Sequence, residues 1–521
     1  MAYEQMQRRN EHRNDRCRGR RARPRSSPSP HLLMMPLLLA LAALPAGAHA
    51  AADDARLVDA AKRNEPTAVR ALLDEGLEVN ARHPDGSTAL LWAAYYDDAD
   101  TVGLLLAAGA DANAANEYGE APLSLAARNR NADVAATLLE AGADPHHVKP
   151  GGETVLMAAA RAGSLEVVNL LLARDVDVNT REPSKHQTAL MFAAAGRHSG
   201  VAEALVDTGA DVNAASKGGS TALHFAVQQA DIPTARLLLD AGADVHAAMS
   251  VRQMDQFTLG LVETFDGQTP LWLAISNCRK DGLEYFGSTE PHPVGLTCPA
   301  NEELGVMFLE RGADPNQADG AGFLPLQRAV QTGMEDLAAA LLRHGADPNA
   351  PVAPDVRQWT GENRGGARRI QPVPVGATPY FIAAWTHNPD LMGVLLEAGA
   401  DPHAAAADES TPLHAIAGVP GRPPMGYSSH LEPPRMLAAA RIALEEGADV
   451  NGANRAGRTP MHGAADIKST ELIQFLFDNG ARLDATDNEG ETPLTLAGVG
   501  DLYDDSRANA ATRLLRELAG L

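Results

Sequence analysis

Cysteine is scarce in this chain, with three residues in 521 and none in a Cys-x-x-Cys pair, so the redox or zinc chemistry of that motif is excluded. Also missing are a Gly-rich phosphate loop, a His-Glu-x-x-His helix and a Gly-x-Ser-x-Gly elbow, which removes common signatures of phosphoryl transfer, zinc hydrolysis and serine nucleophiles. Positive charge is short as well. Lys and Arg number 44 against 67 Asp and Glu, a net of −23, and such acidity opposes nucleic-acid binding, which needs basic patches to displace counterions. The apolar run Leu32–Leu44 has 13 residues, and nothing downstream reaches the about 20 needed to span a bilayer. Tyrosines number only eight, so each one placed on a surface carries weight.

What the chain has is repetition. A Gly-Ala-Asp mark with Asn or His two residues on reads Gly109-Ala110-Asp111-Ala112-Asn113, then Gly142-Ala143-Asp144-Pro145-His146, Gly209-Ala210-Asp211-Val212-Asn213 and Gly242-Ala243-Asp244-Val245-His246. It returns at Gly312, Gly345, Gly399 and Gly447, with degenerate copies at Gly76, Asp175 and Gly480. Six of the ten intervals are 33 residues, one is 34, and three are longer at 70, 54 and 48, a period that means a stacked array. A second signature precedes each mark, as in Thr88-Ala89-Leu90, Thr221-Ala222-Leu223-His224, Thr411-Pro412-Leu413-His414 and Thr459-Pro460-Met461-His462. Thr can cap a helix start and Pro suits its first turn. Leu and Val then recur at helical spacing, as in Val102, Leu105 and Leu106, and predict a second, amphipathic helix. The Gly that follows enters the left-handed region without steric cost.

Both signatures in register resemble the ankyrin repeat family over residues 53–521. The resemblance implies an all-α solenoid of about twelve helix-turn-helix units joined by hairpin loops. The expected division is a segment 1–50 and an array 51–521. Within the array stand a cap 53–82, repeats 83–115, 116–148, 149–181, 182–215, 216–248, 249–318, 319–350, 351–405, 406–453 and 454–487, and a closing unit 488–521. The resemblance further implies a non-enzymatic scaffold that meets a partner protein on the hairpins and the exposed ends of the first helices, the concave side. By register, that surface takes in Tyr95, Tyr96, Glu117, Tyr118, Glu120, Arg128, Asn129 and Trp385. Its Thr-Pro-Leu-His histidine is similar to a strut between repeats, so His224, His414 and His462 are given no catalytic part. His146-His147 falls where Asn stands elsewhere and is read as structural. No catalytic, cofactor or metal residue is assigned.

Residues 1–50 are of another kind. Nine arginines lie between Arg8 and Arg25, the apolar run follows, and Ala48-His49-Ala50 closes the segment. That order is a secretory signal peptide, with a mitochondrial transit peptide as the competing reading. The mature chain is expected to be exported, periplasmic or secreted, and monomeric. Removing a local charge of +6 leaves −29, which suits a basic partner or simply keeps a long solenoid in solution. An oxidising compartment makes a Cys278–Cys298 disulfide the leading expectation, with two free thiols as the alternative.

The three long intervals carry insertions of 37, 21 and 15 residues. They fall near 248–265 and 279–300, in Pro351–Val375 with its arginines 357, 364, 368 and 369, and in Gly418–Pro434. Long loops are often functional. The alternative readings are therefore an enzyme with a site built from loops 279–300 and 351–375, or an exported effector that binds a host protein.

Overall fold

A computed structural model describes residues 55–249, 267–277, 299–320, 322–354, 373–419, 433–498 and 505–521. Cys278, Cys298, the segment 1–50, the arginines of the 351–375 loop and most of the other insertions lie outside the described residues.

The described residues form twelve helix pairs, the all-α ankyrin solenoid expected from the repeat, with two isolated bridges and no strand among them. A short helix at 55–62 and Pro66–Asp74 make the first pair. Ala89–Tyr95 with Ala99–Ala107, and Pro122–Asn129 with Ala132–Glu140, make the next two. Pro493–Gly498 and Asp505–Ala519 make the last. Each first helix packs on the first helices of its neighbours and each second helix on the neighbouring second helices. One apolar core therefore runs from Leu57 to Leu515 without a break. It must be shared, because a pair of seven- to nine-residue helices has too little apolar surface to hold itself. Alanines such as Ala93, Ala94, Ala126 and Ala127, all nearly inaccessible, let adjacent first helices approach closely.

The threonines cap as their position predicts. Thr88 Oγ1 accepts from Leu91 N at 3.2 Å, and Thr378 Oγ1 from Phe381 N at 3.3 Å. Where His follows, the cap is inverted: Thr221, Thr411 and Thr459 donate their backbone N–H to the ring Nδ1 of His224, His414 and His462, at 3.1, 3.2 and 3.1 Å. An Nδ1 that accepts leaves the proton on Nε2. That nitrogen reaches the next repeat, to Arg458 O at 2.9 Å from His414 and to Glu491 O at 3.2 Å from His462. For His224 the corresponding carbonyl is that of Gln268, and there Nε2 makes no bond of ordinary geometry. Burial pushes all three rings below the usual histidine range, His224 to about 4.

The asparagine after each Gly-Ala-Asp mark does more than turn the chain. Asn80, Asn113, Asn179, Asn213, Asn316, Asn349 and Asn451 each donate from Nδ2 to the carbonyl of the residue opening the next mark, at 2.9–3.1 Å. Six of them also accept a backbone N–H two residues farther on, at 2.7–2.8 Å, as Asn113 Oδ1 does from Asp144 N. The mark thus ties repeat to repeat. His146, His246 and His403 stand where this clamp would be.

Candidate partner-binding surface

The first helices end, repeat after repeat, along one edge of the stack. Side chains lock those ends together. Tyr96 OH donates to Lys62 O at 2.9 Å, and Asn129 Nδ2 to Tyr95 O at 3.0 Å and Ala94 O at 3.2 Å. His198 Nε2 meets Arg161 O at 3.2 Å. Beside this edge run the hairpins, joined at some junctions by a backbone bond, such as Glu117 N to Asp85 O at 3.0 Å and Lys217 N to Lys185 O at 2.9 Å.

Two of the predicted tyrosines are brought together. Tyr95 and Tyr96 meet edge to face at 5.1 Å between centroids, and both contact Trp92, at 5.6 and 6.2 Å. The Lys62 ammonium sits 5.5 Å from the Trp92 ring. Tyr95 stays 50% exposed and Tyr96 39%, while Tyr118, on the hairpin of the next repeat, is 73% exposed and makes no ring contact. Val148, at the start of the following hairpin, is also half exposed. Trp92, Tyr95 and Tyr96 thus form one aromatic cluster at a first-helix end, with Tyr118 and Val148 exposed in the repeat that follows.

The remaining predicted positions divide. Glu117 lies exposed at a hairpin tip. Glu120 holds Arg128 at 3.2 Å and Lys149 at 2.7 Å, Lys149 also holds Glu153 at 2.9 Å, and Glu153 holds Arg161 at 3.2 Å. Counting the cap 53–82 as repeat 1, this ion-pair chain links repeat 3 (116–148) to repeat 4 (149–181). Asn129 uses its amide on the preceding repeat and so has a structural task. Trp385 is a correction. It is 1% exposed, at the end of a helix, Pro379–Trp385, that is buried along its whole length. In that repeat the helix end is closed over, with His387 Nε2 on Ile416 O at 2.9 Å and Arg435 Nε on His387 O at 3.5 Å. The ring is core and cannot meet a partner.

Charge is sorted by segment within the repeat. In repeats 3 to 6, the hairpin and first-helix segments (116–130, 149–163, 182–197 and 216–230) hold seven Lys and Arg against four acids. The second-helix and mark segments of the same repeats hold twelve acids against three Lys and Arg. One of the four acids, Glu182, is buried and engaged by the backbone N–H groups of Ser184, Lys185 and Gln187 at 2.7–3.1 Å, which hold its carboxyl down at about 2 despite burial that opposes this. The net charge of −23 averages over these two kinds of segment.

Among the described residues no three metal-ligating side chains converge, and no helix is long and apolar enough to cross a membrane.

Models of the ankyrin repeat match residues 57–149 and 156–249 as three-copy units, 321–352 as a single repeat and 444–497 as part of a many-copy array, together just over half of the chain. Neurogenic locus notch homolog protein 1 of Xenopus tropicalis is 32% identical over 242 residues, which are 44% of this chain and 8% of that protein. Neurogenic locus notch homolog protein 4 of Homo sapiens is 36% identical over 130 residues, 24% of this chain and 6% of that protein. The chain thus spans less than a tenth of the length of these relatives. A solved structure, the human ASB11 ankyrin repeat domain, aligns at 24% identity over 42% of this chain and 90% of that one, with a TM-score of 0.35.

Proposed function

Because the chain belongs to the ankyrin repeat family, whose repeats generally mediate protein–protein interaction, we propose that it is a non-enzymatic scaffold holding a partner protein on the hairpins and first-helix ends of repeats 2 to 4. The observation that carries this reading is the exposure of Tyr95, Tyr96 and Tyr118 in adjacent repeats of an array that leaves few other large apolar side chains exposed among the described residues. Tyrosine supplies wide contact area at small entropic cost, and aromatic rings dominate binding hot spots. Export into an envelope compartment is part of the same proposal. It rests on the order of arginines, apolar run and Ala48-His49-Ala50.

The test is affinity capture from the envelope fraction with the chain from residue 51 and with its Tyr95→Ala/Tyr118→Ala variant. Tyr96 is left in place because its hydroxyl ties repeat 2 to repeat 1. The expected result is one stoichiometric protein, identified by mass spectrometry, that the variant no longer retains while its circular dichroism and melting are unchanged. Equal recovery by both proteins would remove the surface assignment. Amino-terminal sequencing of the envelope-derived protein checks export, and an intact residue 1–50 segment would refute it.

A further inference from the structure

We infer that the occupant of this surface is an acidic segment of the partner protein, anchored by aromatic or apolar side chains on the tyrosines and lying along the basic hairpin edge of repeats 3 to 6. The inference rests on the scaffold reading and goes past it by fixing the partner's charge, which the net −23 of the chain would have set the other way.

Three observations carry it. First, cations exceed acids in the hairpin and first-helix segments, while the second-helix and mark segments of the same repeats are strongly acidic. The local field, not the chain total, meets a docking segment, since screening limits its reach to about 8–10 Å at ordinary ionic strength. Second, part of the positive charge is unspent. Arg128, Lys149 and Arg161 are engaged by Glu120 and Glu153. Arg130, Lys185 and Arg197 are exposed and form no ion pair among the described residues, and the Lys217 ammonium bonds only the Pro183 carbonyl, at 3.0 Å. Third, Arg130 and Arg197 occupy matching places at first-helix ends. Arg130 caps its first helix and Arg197 lies one residue past the Gly196 cap of its own, both in the left-handed region at φ of 66° and 59°, where repeat 4 has Gly163 at 76°. Asn64, Asp97, Ala230 and Lys468 hold the same positive-φ position in other repeats, so the backbone there does not require glycine and leaves the side chain free to vary. Asn129, beside Arg130, and His198, beside Arg197, each bond back to the first-helix end of the preceding repeat. A short carboxylate segment fits better than a long phosphate backbone, because among the described residues only Arg130, Lys185, Arg197 and Lys217 carry unspent positive charge along the row.

The test measures fluorescence anisotropy of three labelled peptides, alternating Glu–Tyr, Gln–Tyr and Lys–Tyr, and of a labelled oligothymidine, against the chain from residue 51. The Glu–Tyr peptide should bind about tenfold or more tighter than Gln–Tyr, with an advantage that fades as salt rises. Arg130→Gly/Arg197→Gly should weaken the Glu–Tyr peptide about fivefold or more and leave Gln–Tyr alone, with melting unchanged or raised because glycine relieves both backbone positions. Tighter binding of Lys–Tyr or oligothymidine, an unmoved Glu–Tyr affinity in the glycine variant, or no Glu–Tyr binding at about 1 mM would each overturn it. Failure of the parent reading is distinguishable: there Tyr95→Ala/Tyr118→Ala leaves the captured partner bound, whereas a preference for Lys–Tyr lost in that variant keeps the scaffold and refutes only the charge.

Discussion

The junction between repeats 2 and 3 and the junction between repeats 3 and 4 bury equivalent alanine and leucine contacts, yet they are fastened differently. At the first, Asn113 grips Gly142 O and Asp144 N, and Glu117 N donates to Asp85 O. At the second, His146 stands in the clamp position and Pro150 in place of the hairpin donor. A side chain replaces the bonds lost: Lys149 reaches Glu120 across the junction at 2.7 Å, while His147 Nε2 ties the end of repeat 3 to its own hairpin at Gly119 O, 2.9 Å away. The Pro150 ring packs where a side chain on Gly119 would be. Stacking is thus fixed by the core, while the fastenings are interchangeable, provided each exposed junction has some.

Four changes break or sharpen that contrast, and each is read by hydrogen exchange repeat by repeat, since a long array need not unfold as one unit. The largest effect is expected from Gly119→Ala. A Cβ there would lie 2.2 Å from Pro150 Cδ, on a backbone at φ +73°, so the 3/4 junction should lose about 2–4 kcal/mol. Gly142→Ala, at φ +89° with open space around it, should lose only about 1–2 kcal/mol. Equal losses would mean that the Pro–Gly contact is not what holds that hairpin.

Acidification should come next. Burial holds His224 at about 4 against an ordinary 6.5. Below pH 6.5 unfolded repeat 6 takes up a proton that the folded ring refuses, so stability present at neutral pH is lost as pH falls toward 4, roughly 3 kcal/mol for His224. His414 and His462 shift in the same direction, so repeats 6, 10 and 11 should open before repeats 2 and 3, whose Thr88 and Ala121 precede no such histidine. His224→Asn should flatten the response of repeat 6, and an unaltered profile would exclude the buried ring as its cause.

Asn113→Ala should cost the 2/3 junction about 1–2 kcal/mol, the value of two partly solvated hydrogen bonds. Smallest, and opposite in sign, is His146→Asn. It should gain about 0.5–1 kcal/mol by restoring a clamp onto the turn at Asp175 and Asp177. A loss there would mean that His146 serves repeat 3 in a way its geometry does not display.

Much of this was legible in the chain itself because the repeat writes every element many times over. Thr-Pro-Leu marks the helix starts, Gly109 and its equivalents the left-handed stops, and Val102 with Leu105 the buried stripe. The clamp was also in plain sight. The asparagine recurs two residues past every full mark that lacks histidine, but a turn residue and a bridging residue look alike until the neighbour's carbonyl is placed. Trp385 was misread for a related reason: register fixes where a residue lies along the helix, not what later elements fold over it.

The period, the twelve units and the all-helical class followed from sequence alone, since local capping and apolar spacing repeat with each copy and need no distant partner. Which tyrosines stay open and which arginines remain unpaired were decided only in three dimensions. Those properties depend on residues about 33 positions apart becoming neighbours, and a linear count of charge or aromatic content averages over that separation.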